Sequence, residues 1–241
     1  MRLLVTRPEP DAGRQAEQLA ARGHEAVLAP LLDIAFDPAA PLELAGAQAV
    51  IATSRNALRA LAAHPAFGEA QRLPLLAVGD ATAEEARALG FADVTIGPGT
   101  AAKLAKLIAS EHEPGRGALV HLSGDAIAFD LKSALEAQGF TVKRFVLYRA
   151  VPSAALPDQA LSLLKAGALD GVILMSLRTG KTFADLVAGL GLVTQGRGLV
   201  CYCLSEAVAG AVRPLGWTIR VAAHPREEDI LALVDSEAAS S

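Results

Sequence analysis

Short apolar segments alternate with amphipathic segments along the whole chain. The apolar segments are continuous and of strand length, and they predict strands at 3–6, 25–29, 49–53, 75–78, 93–96, 118–122, 141–146, 171–175, 199–204 and 218–222. Segments with helical periodicity follow most of them and predict helices at 10–22, 54–63, 80–89, 100–110, 127–138, 153–166, 178–188, 205–214 and 226–236. Continuously apolar strands separated by helices are typical of parallel sheets covered on both faces. The pattern therefore predicts an α/β fold with open, doubly wound sheets.

The sequence also repeats itself. The segment RLLVTRPEPDAGRQAEQLAARGHEAVLAPLLDI, around Gly23, aligns with ALVHLSGDAIAFDLKSALEAQGFTVKRFVLYRA, around Gly139, at an offset of 116 residues (139 − 23). A second pair of segments aligns Gly90 with Gly216, at an offset of 126 residues (216 − 90). A repeat of this length indicates a duplicated α/β domain rather than a solenoid. Two similar domains predict a cleft, where a ligand would bind.

The domain boundaries depend on two segments, 31–36 and 145–151, which occupy equivalent positions in the repeat and are longer than a loop requires. We interpret them as connectors at which the chain changes domain. In a serial arrangement the domains divide near residue 116. In a crossed arrangement, residues 1–35 join residues 150–241, and residues 36–149 form the other domain. The pattern leaves both open, although two equivalent connectors favour the crossed arrangement.

Composition narrows the class of protein. The chain has 241 residues, of which 52% are hydrophobic and 20% charged, and a formal net charge of −4. This charge argues against nucleic acid as a partner. No apolar run approaches the roughly 18 residues of a membrane helix, so we expect a cytoplasmic protein without a membrane partner. Cys201 and Cys203 are expected to be buried, reduced thiols. Dinucleotide, P-loop and metalloprotease motifs are absent from the sequence.

Candidate binding residues lie just after the strands, because ligands of doubly wound sheets bind outside the carboxyl ends of the strands. Most are small polar residues that suit helix N-termini, where free N–H groups attract anions. They are Arg7, Thr53, Ser54, Arg55, Gly79, Thr82, Ser123, Gly124, Ser176, Arg178 and Ser205. Each polar residue alone could simply cap its helix. Several converging ends would bind a polyanion.

Tyr148 is one of only two tyrosines and lies in the second connector. Its hydroxyl could donate a proton to a leaving group, although a phenol with a pKa of about 10 is a weak acid. Alternatively, its ring could pack across the connector.

These segments together resemble the uroporphyrinogen-III synthase family. The resemblance covers nearly the whole chain, and its carriers are the opening segment VTRPEPDAGRQAEQLAARGHEAVLAPLLDI, then IATSRNALRAL, AVGDATAEEARALGF, YRAV, DGVILMSLRTGKTF and CLSEAVAGAVRPLGW, in this order. It implies two flavodoxin-like domains in the crossed arrangement, joined by a two-stranded connector. It also implies a monomeric hydro-lyase of tetrapyrrole (haem, sirohaem, cobalamin or chlorophyll) biosynthesis that uses no metal or organic cofactor.

The substrate implied by the resemblance is hydroxymethylbilane, a linear tetrapyrrole with eight carboxylates, handed over from hydroxymethylbilane synthase. The family removes water from it and closes the ring with inversion of ring D, giving uroporphyrinogen III. Tyr148 matches the family's connector tyrosine, the candidate catalytic residue. Thr82 matches its threonine at a strand-to-helix turn, and Thr53, Ser54 and Ser176 match positions that bind substrate carboxylates.

Three turns depart from the family pattern. The turn at 204–208 reads LSEAV where the family usually resembles Gly-Pro-Thr-Thr, so the repeat partner of Thr82 is Val208. The turn at 123–130 lacks an arginine that is often found there, and SLRTG at 176–180 replaces a common Ser-Pro. An alternative function is therefore a catalytically degenerate, two-lobed homologue that binds a tetrapyrrole or another anionic metabolite. A sugar-nucleotide transferase is disfavoured, because domains of this size leave little room for nucleotide motifs.

Overall fold

The computed structural model describes residues 1–239 of the chain. The strands are β1 Arg2–Val5, β2 Glu25–Leu28, β3 Leu32–Phe36, β4 Ala47–Ala52, β5 Leu75–Ala77, β6 Val94–Ile96, β7 Ala118–Gly124, β8 Val142–Pro152, β9 Gly171–Leu174, β10 Val200–Cys203 and β11 Thr218–Val221. The helices are α1 Asp11–Ala20, α2 Arg55–Ala62, α3 Phe67–Ala70, α4 Asp80–Ala88, α5 Ala101–Glu111, α6 Leu131–Glu136, α7 Asp158–Lys165, α8 Leu177–Gly189, α9 Glu206–Val212 and α10 Glu227–Ala238.

Two helices, α6 and α7, begin at least a full turn later than the pattern predicted. The helix predicted at 127–138 begins only at Leu131, because Asp130 caps it by accepting a hydrogen bond from the Ser133 amide at 3.1 Å. The helix predicted from 153 begins at Asp158, after Pro157, because the residue before a proline disfavours helical backbone. The short helix α3 was not predicted.

The chain forms two compact units. The terminal unit comprises Met1–Asp33 and the chain from Val151 onward, and the middle unit is Ile34–Ala150. The chain passes between the units within β3 and again within β8, and these two strands are neighbours in one sheet.

The terminal unit contains a sheet with the order β11-β10-β9-β1-β2, whose neighbouring strands pair in parallel. Successive residues of β1 face opposite sides of this sheet. Leu4 packs in a core with residues of α7, α8 and α9, whereas Leu3 and Val5 pack in a second core with residues of α1 and α10. Burial of apolar side chains on both faces explains why the strands are continuously apolar.

The middle unit contains a sheet with the order β3-β8-β7-β4-β5-β6, parallel from β8 to β6. Helices α2 and α4 pack with one face, where Val50 is buried, and α5 and α6 pack with the other, where Ile51 is buried. The predicted α/β class with doubly wound parallel sheets is confirmed.

The two sheets share one spatial order of strands. The order β2-β1-β9-β10-β11 of the terminal unit corresponds to β8-β7-β4-β5-β6 of the middle unit. Numbered along its own chain, the terminal unit has the flavodoxin-like order 2-1-3-4-5, whereas these five strands of the middle unit have the order 5-4-1-2-3. In the terminal unit, β1 and β2 precede the other three strands along the chain. In the middle unit, the corresponding strands β7 and β8 follow the other three. The units are therefore circular permutations of one another. Of the helices within residues 1–239, none has the length and apolar composition needed to cross a bilayer.

Candidate active site

The strand order of the middle unit reverses between β7 and β4, which makes a topological switch point. Ligands of doubly wound sheets bind outside the carboxyl ends of the strands at such a point. Thr53 and Ser54 directly follow β4, and Ser123 and Gly124 end β7. Tyr148 lies opposite Gly124 on β8. Five of the predicted site residues therefore lie at one edge of one sheet.

Ser54 links the first turn of α2 to Tyr148. It is the N-cap residue of α2, and its Oγ accepts a hydrogen bond from the Ala57 amide at 3.1 Å. The same hydroxyl is hydrogen-bonded to the Tyr148 hydroxyl, 2.9 Å away. Because Ser54 already accepts a bond from the backbone, its own proton can point to the tyrosine oxygen. The Tyr148 hydroxyl is thereby held at the N-terminus of α2.

The Tyr148 ring rests on Gly124. A Cβ atom added at Gly124 would lie 2.7 Å from Cζ and 3.0 Å from Oη of the tyrosine, far closer than atoms pack. A bulge in the β7–β8 pairing brings the two residues together, because Ser123 pairs with Val146 but Gly124 pairs with Tyr148. Bulges re-aim side chains at such positions. The glycine and the bulge together fix where the phenol points.

Arg144 was not among the predicted residues, yet it binds the loop that follows β7. From β8, its Nε donates to Ser123 Oγ at 2.8 Å, and its Nη2 donates to the carbonyl oxygens of Gly124 at 2.8 Å and Asp125 at 3.1 Å. No periodicity or motif marks this arginine. Only the pairing of β8 with β7 brings it to the loop.

His121 lies beneath the same edge of the sheet and is only 1% exposed. Its Nε2 is 3.3 Å from Thr53 Oγ1, whereas its buried Nδ1 has no hydrogen-bond partner within residues 1–239. Burial, followed by the positive charge of Arg144, lowers the pKa of His121 from 6.5 to about 4. The imidazole is therefore neutral at neutral pH. It can orient the Thr53 hydroxyl but brings no positive charge to the site.

The next strand of the middle unit ends at a tight turn around Gly79. This glycine is the N-cap residue of α4, and a Cβ atom there would lie 3.2 Å from the Gly99 backbone. Thr82, in the first turn of α4, is buried, with 5% of its surface exposed. Arg55 begins α2 and is half-buried. Because the N-cap residue Gly79 has no side chain, it leaves the first N–H groups of α4 uncovered.

In the terminal unit, Ser176 takes the place that Ser54 has in the middle unit. It caps α8 by accepting a hydrogen bond from the Thr179 amide at 3.1 Å, and its hydroxyl is 2.7 Å from Thr179 Oγ1. Arg178 and Lys181, on the first turns of α8, line a surface depression of about 430 Å³. Basic side chains thus lie next to this helix N-terminus.

The turn at 204–208 offers less to an anion. Ser205 is the N-cap residue of α9 but makes no side-chain capping bond. Glu206 pairs with Arg213 at 2.6 Å. Val208, the repeat partner of Thr82, is 3% exposed and belongs to the apolar core. Val208 packs well in this core, so packing at this position does not require the threonine that the middle unit has at Thr82.

Arg7 is held by carboxylates of its own unit. Its guanidinium is 2.7 Å from Glu227 and 3.3 Å from Asp11, and only 12% of its side chain is exposed. The ion pair of Arg7 with Glu227 joins the β1–α1 loop to the start of α10. Its charge is therefore already compensated within the terminal unit.

Both cysteines and the second tyrosine lie on the buried strand β10. Burial raises the pKa of the Cys203 thiol to about 12 and that of Cys201 further, so both thiols stay protonated. Burial also raises the pKa of Tyr202 to about 12, and its hydroxyl finds no hydrogen-bond partner in the part of the chain that the structure describes. Among residues 1–239, no cluster of three or more His, Cys, Asp or Glu side chains could hold a metal ion.

Comparison with known proteins decides the family. The model of the family described as uroporphyrinogen-III synthase HemD matches residues 14–232, which is most of the chain. The chain belongs to the uroporphyrinogen-III synthase family. The family resemblance noted in the sequence is thus confirmed. Among curated protein sequences, none matches this member of the synthase family significantly.

Solved structures of synthases share the fold. The uroporphyrinogen-III synthetase of Helicobacter pylori 26695 is 18% identical, with 98% of each chain covered and a TM-score of 0.67. A mutant uroporphyrinogen III synthase of the extremely thermophilic bacterium Thermus thermophilus is also 18% identical, with 100% of this chain and 99% of that chain covered and a TM-score of 0.56. At this identity the similarity shows the fold, and the family match carries the assignment.

Proposed function

We propose that this chain is an active uroporphyrinogen-III synthase, a hydro-lyase that cyclises hydroxymethylbilane with loss of water and inversion of ring D. The observation that carries the proposal is the family match over residues 14–232. The side chains that meet at the switch point of the middle unit support it. A tyrosine hydroxyl there is hydrogen-bonded to the N-cap serine of a helix, so a proton donor adjoins an anion-binding helix N-terminus.

Helix N-termini suit the charge of this substrate. Hydroxymethylbilane carries eight carboxylates, and free N–H groups at the start of a helix bind carboxylates without a basic patch. The starts of α2, α4 and α8, at Ser54, Gly79 and Ser176, are proposed to hold some of them. Thr53, Arg55, Thr82 and Arg178 remain proposed contacts at these turns. Ser123 and Gly124 remain proposed contacts at the end of β7, and Ser205 at the start of α9. Arg7, whose guanidinium pairs with Glu227, is proposed to stabilise the fold instead.

Tyr148 is proposed to assist loss of the ring A hydroxyl. The phenol donates its proton to the departing oxygen, which leaves as water, and the substrate becomes an azafulvene cation. The bond from Ser54 to the phenol oxygen stabilises the phenolate that develops. The substituted carbon of ring D then attacks the cation, forming a spiro intermediate that fragments and recloses through the unsubstituted carbon. That carbon loses its hydrogen as a proton, which returns to the Tyr148 phenolate and leaves the type III isomer.

The protein's main contribution is the shape that it imposes on the substrate. Without enzyme the bilane closes through the unsubstituted carbon of ring D and gives the type I isomer. Fixed carboxylates bring the substituted carbon near the cation, and such positioning can contribute on the order of 7–11 kcal/mol to lowering a barrier. This chemistry requires no metal or organic cofactor. We further propose a cytoplasmic monomer that receives its substrate from hydroxymethylbilane synthase.

An isomer assay tests the function. Freshly made hydroxymethylbilane is supplied, the products are oxidised, and type I and type III uroporphyrin are separated by chromatography. We expect type III in excess over the control without protein. Type I alone from the folded protein would contradict the proposal and favour the degenerate, two-lobed homologue.

Replacement of Tyr148 by Phe tests the catalytic residue. Tyr148→Phe keeps the ring on Gly124 but removes the hydroxyl that bonds to Ser54. We expect kcat to fall about 100-fold, at the low end for general acid catalysis, with the fold retained. The matched control is Tyr202→Phe, which removes a buried hydroxyl without a partner and should leave kcat unchanged. Unchanged turnover in Tyr148→Phe would remove this residue from the mechanism.

A further inference from the structure

Arg144 makes three hydrogen bonds with the end of β7 and the loop that follows it. Its fork of donors binds Ser123 Oγ and the carbonyl oxygens of Gly124 and Asp125, at 2.8 to 3.1 Å. Ser123 and Gly124 end β7, and Asp125 begins the loop that runs from 125 to 130. Charged donors form stronger hydrogen bonds than neutral donors, so this arginine fixes the path of the loop.

The same loop start contacts Tyr148 in two ways. The tyrosine ring lies directly on Gly124. The Asp125 amide donates to the Tyr148 carbonyl oxygen at 3.1 Å, and the Ala150 amide is 3.4 Å from Asp125 Oδ1. Arg144 and Tyr148 therefore hold opposite sides of one short segment of backbone. A shift of this segment would move the phenol relative to Ser54.

Core packing does little to hold the rest of the loop. Ile127 and Phe129 are 39% and 36% exposed, although both are apolar. The loop ends at Asp130, the N-cap residue of α6. Hydrogen bonds from Ser133 and, to a smaller extent, the charge of Arg144 lower the pKa of that carboxyl. Polar contacts at the two ends thus hold a loop whose middle is exposed.

We infer that Arg144 is a positioning residue for Tyr148, because it fixes the loop start against which the tyrosine ring packs. The inference rests on the proposed synthase function. A lysine could not replace this arginine fully, since a single ammonium group does not reproduce the planar fork that reaches all three acceptors. The role is separate from proton donation, because the guanidinium donates its hydrogen bonds to Ser123, Gly124 and Asp125.

A double-mutant cycle tests the inference. Arg144→Met, Tyr148→Phe and the double variant are compared with the wild type for kcat, KM and the ratio of type III to type I product. We expect Arg144→Met to lower kcat roughly 10- to 100-fold, with a smaller change in KM. In the Tyr148→Phe background the same change should lower kcat less than about threefold, because residues that act through one another are not additive. Arg144→Lys should recover part of the lost kcat.

The matched control is Lys143→Met, on the neighbouring position of β8. Lys143 pairs with the exposed Glu43 at 2.9 Å, and its replacement is expected to leave kcat unchanged. Circular dichroism and thermal melting establish that each variant is folded. If neither Arg144→Met nor Arg144→Lys folds, the arginine serves the fold alone and the inference is wrong.

Two other results would overturn the inference. Wild-type kcat in a folded Arg144→Met protein would show that the loop does not need its guanidinium. Equal losses with and without the Tyr148 hydroxyl would show that Arg144 does not act through the tyrosine. Failure of the wild type to form type III product would instead contradict the proposed function, so the two failures are distinguishable.

Discussion

Gly124→Ala should misplace the Tyr148 ring. The added Cβ would lie 2.7 Å from Cζ, 2.8 Å from Cε2 and 3.0 Å from Oη of the tyrosine. Carbon atoms pack at about 3.5–4.0 Å, so the ring must move by roughly 0.8 Å or more. A displacement of this size away from Ser54 would lengthen the 2.9 Å hydrogen bond between the two hydroxyls beyond the distance at which it contributes.

The expected loss can be estimated from this displacement. Overpacking of this kind destabilises by about 1–3 kcal/mol, which a thermal melt would detect. A misplacement of about 1 Å can lower turnover on the order of 100-fold. We therefore expect kcat of Gly124→Ala to approach that of Tyr148→Phe, with type III formed slowly in the isomer assay.

Gly68→Ala is the matched control. Gly68 lies in α3 of the same unit, and a Cβ atom there meets nothing within 4 Å. This variant should keep wild-type kcat and stability. If Gly124→Ala also retained wild-type kcat and isomer ratio, the ring position would not matter, and the argument from its contact with Gly124 would be refuted.

Two further predictions concern stability. The pKa of His121 is lowered to about 4 in the folded protein, so the unfolded chain binds more protons between pH 4 and 6.5. The stability due to this group is thus present above pH 6.5 and lost as the pH falls, by about 2 kcal/mol between pH 7 and 5. The free energy of unfolding, measured with denaturant at each pH, should show this loss in the wild type and in His112→Gln but a smaller loss in His121→Gln. Equal pH dependence in all three proteins would contradict the assignment. Arg7→Met removes the cation that pairs with the buried Asp11 and the partly exposed Glu227, and it should destabilise by about 3 kcal/mol. Substrate KM should stay near the wild-type value, and a large rise in KM would instead indicate direct binding.

Local sequence signals predicted the fold class and the polar turns. Apolar runs such as β4 and β9 follow from burial on both faces of a sheet, and Ser54 and Ser176 were recognisable as helix caps. The same signals failed at 127–138, because Ile127 has helical spacing with the buried Leu131 and Leu135 yet is itself exposed and lies before the helix. Periodicity reports which residues share a face, but it does not report which of them find a partner.

The contacts around Tyr148 could not be read from the sequence. Its packing on Gly124 depends on a bulge, and a bulge changes the register without changing the pattern of residue types. The bond with Ser54 joins residues 94 positions apart. Arg144 reaches the loop from a neighbouring strand, so its role appears only when β7 and β8 are paired.

The permuted order of strands has a consequence for how the chain folds during synthesis. The middle unit is continuous, so all of its strands have emerged once Ala150 has left the ribosome. The terminal unit must wait, because β1 pairs with β9 and Leu3 meets Gly171 only after the whole middle unit has been made. Until then, β1 can pair with β2 on one side, but its other edge lacks its partner β9. The order of synthesis therefore favours early folding of the unit that carries Tyr148, with the unit formed from both ends of the chain completed last.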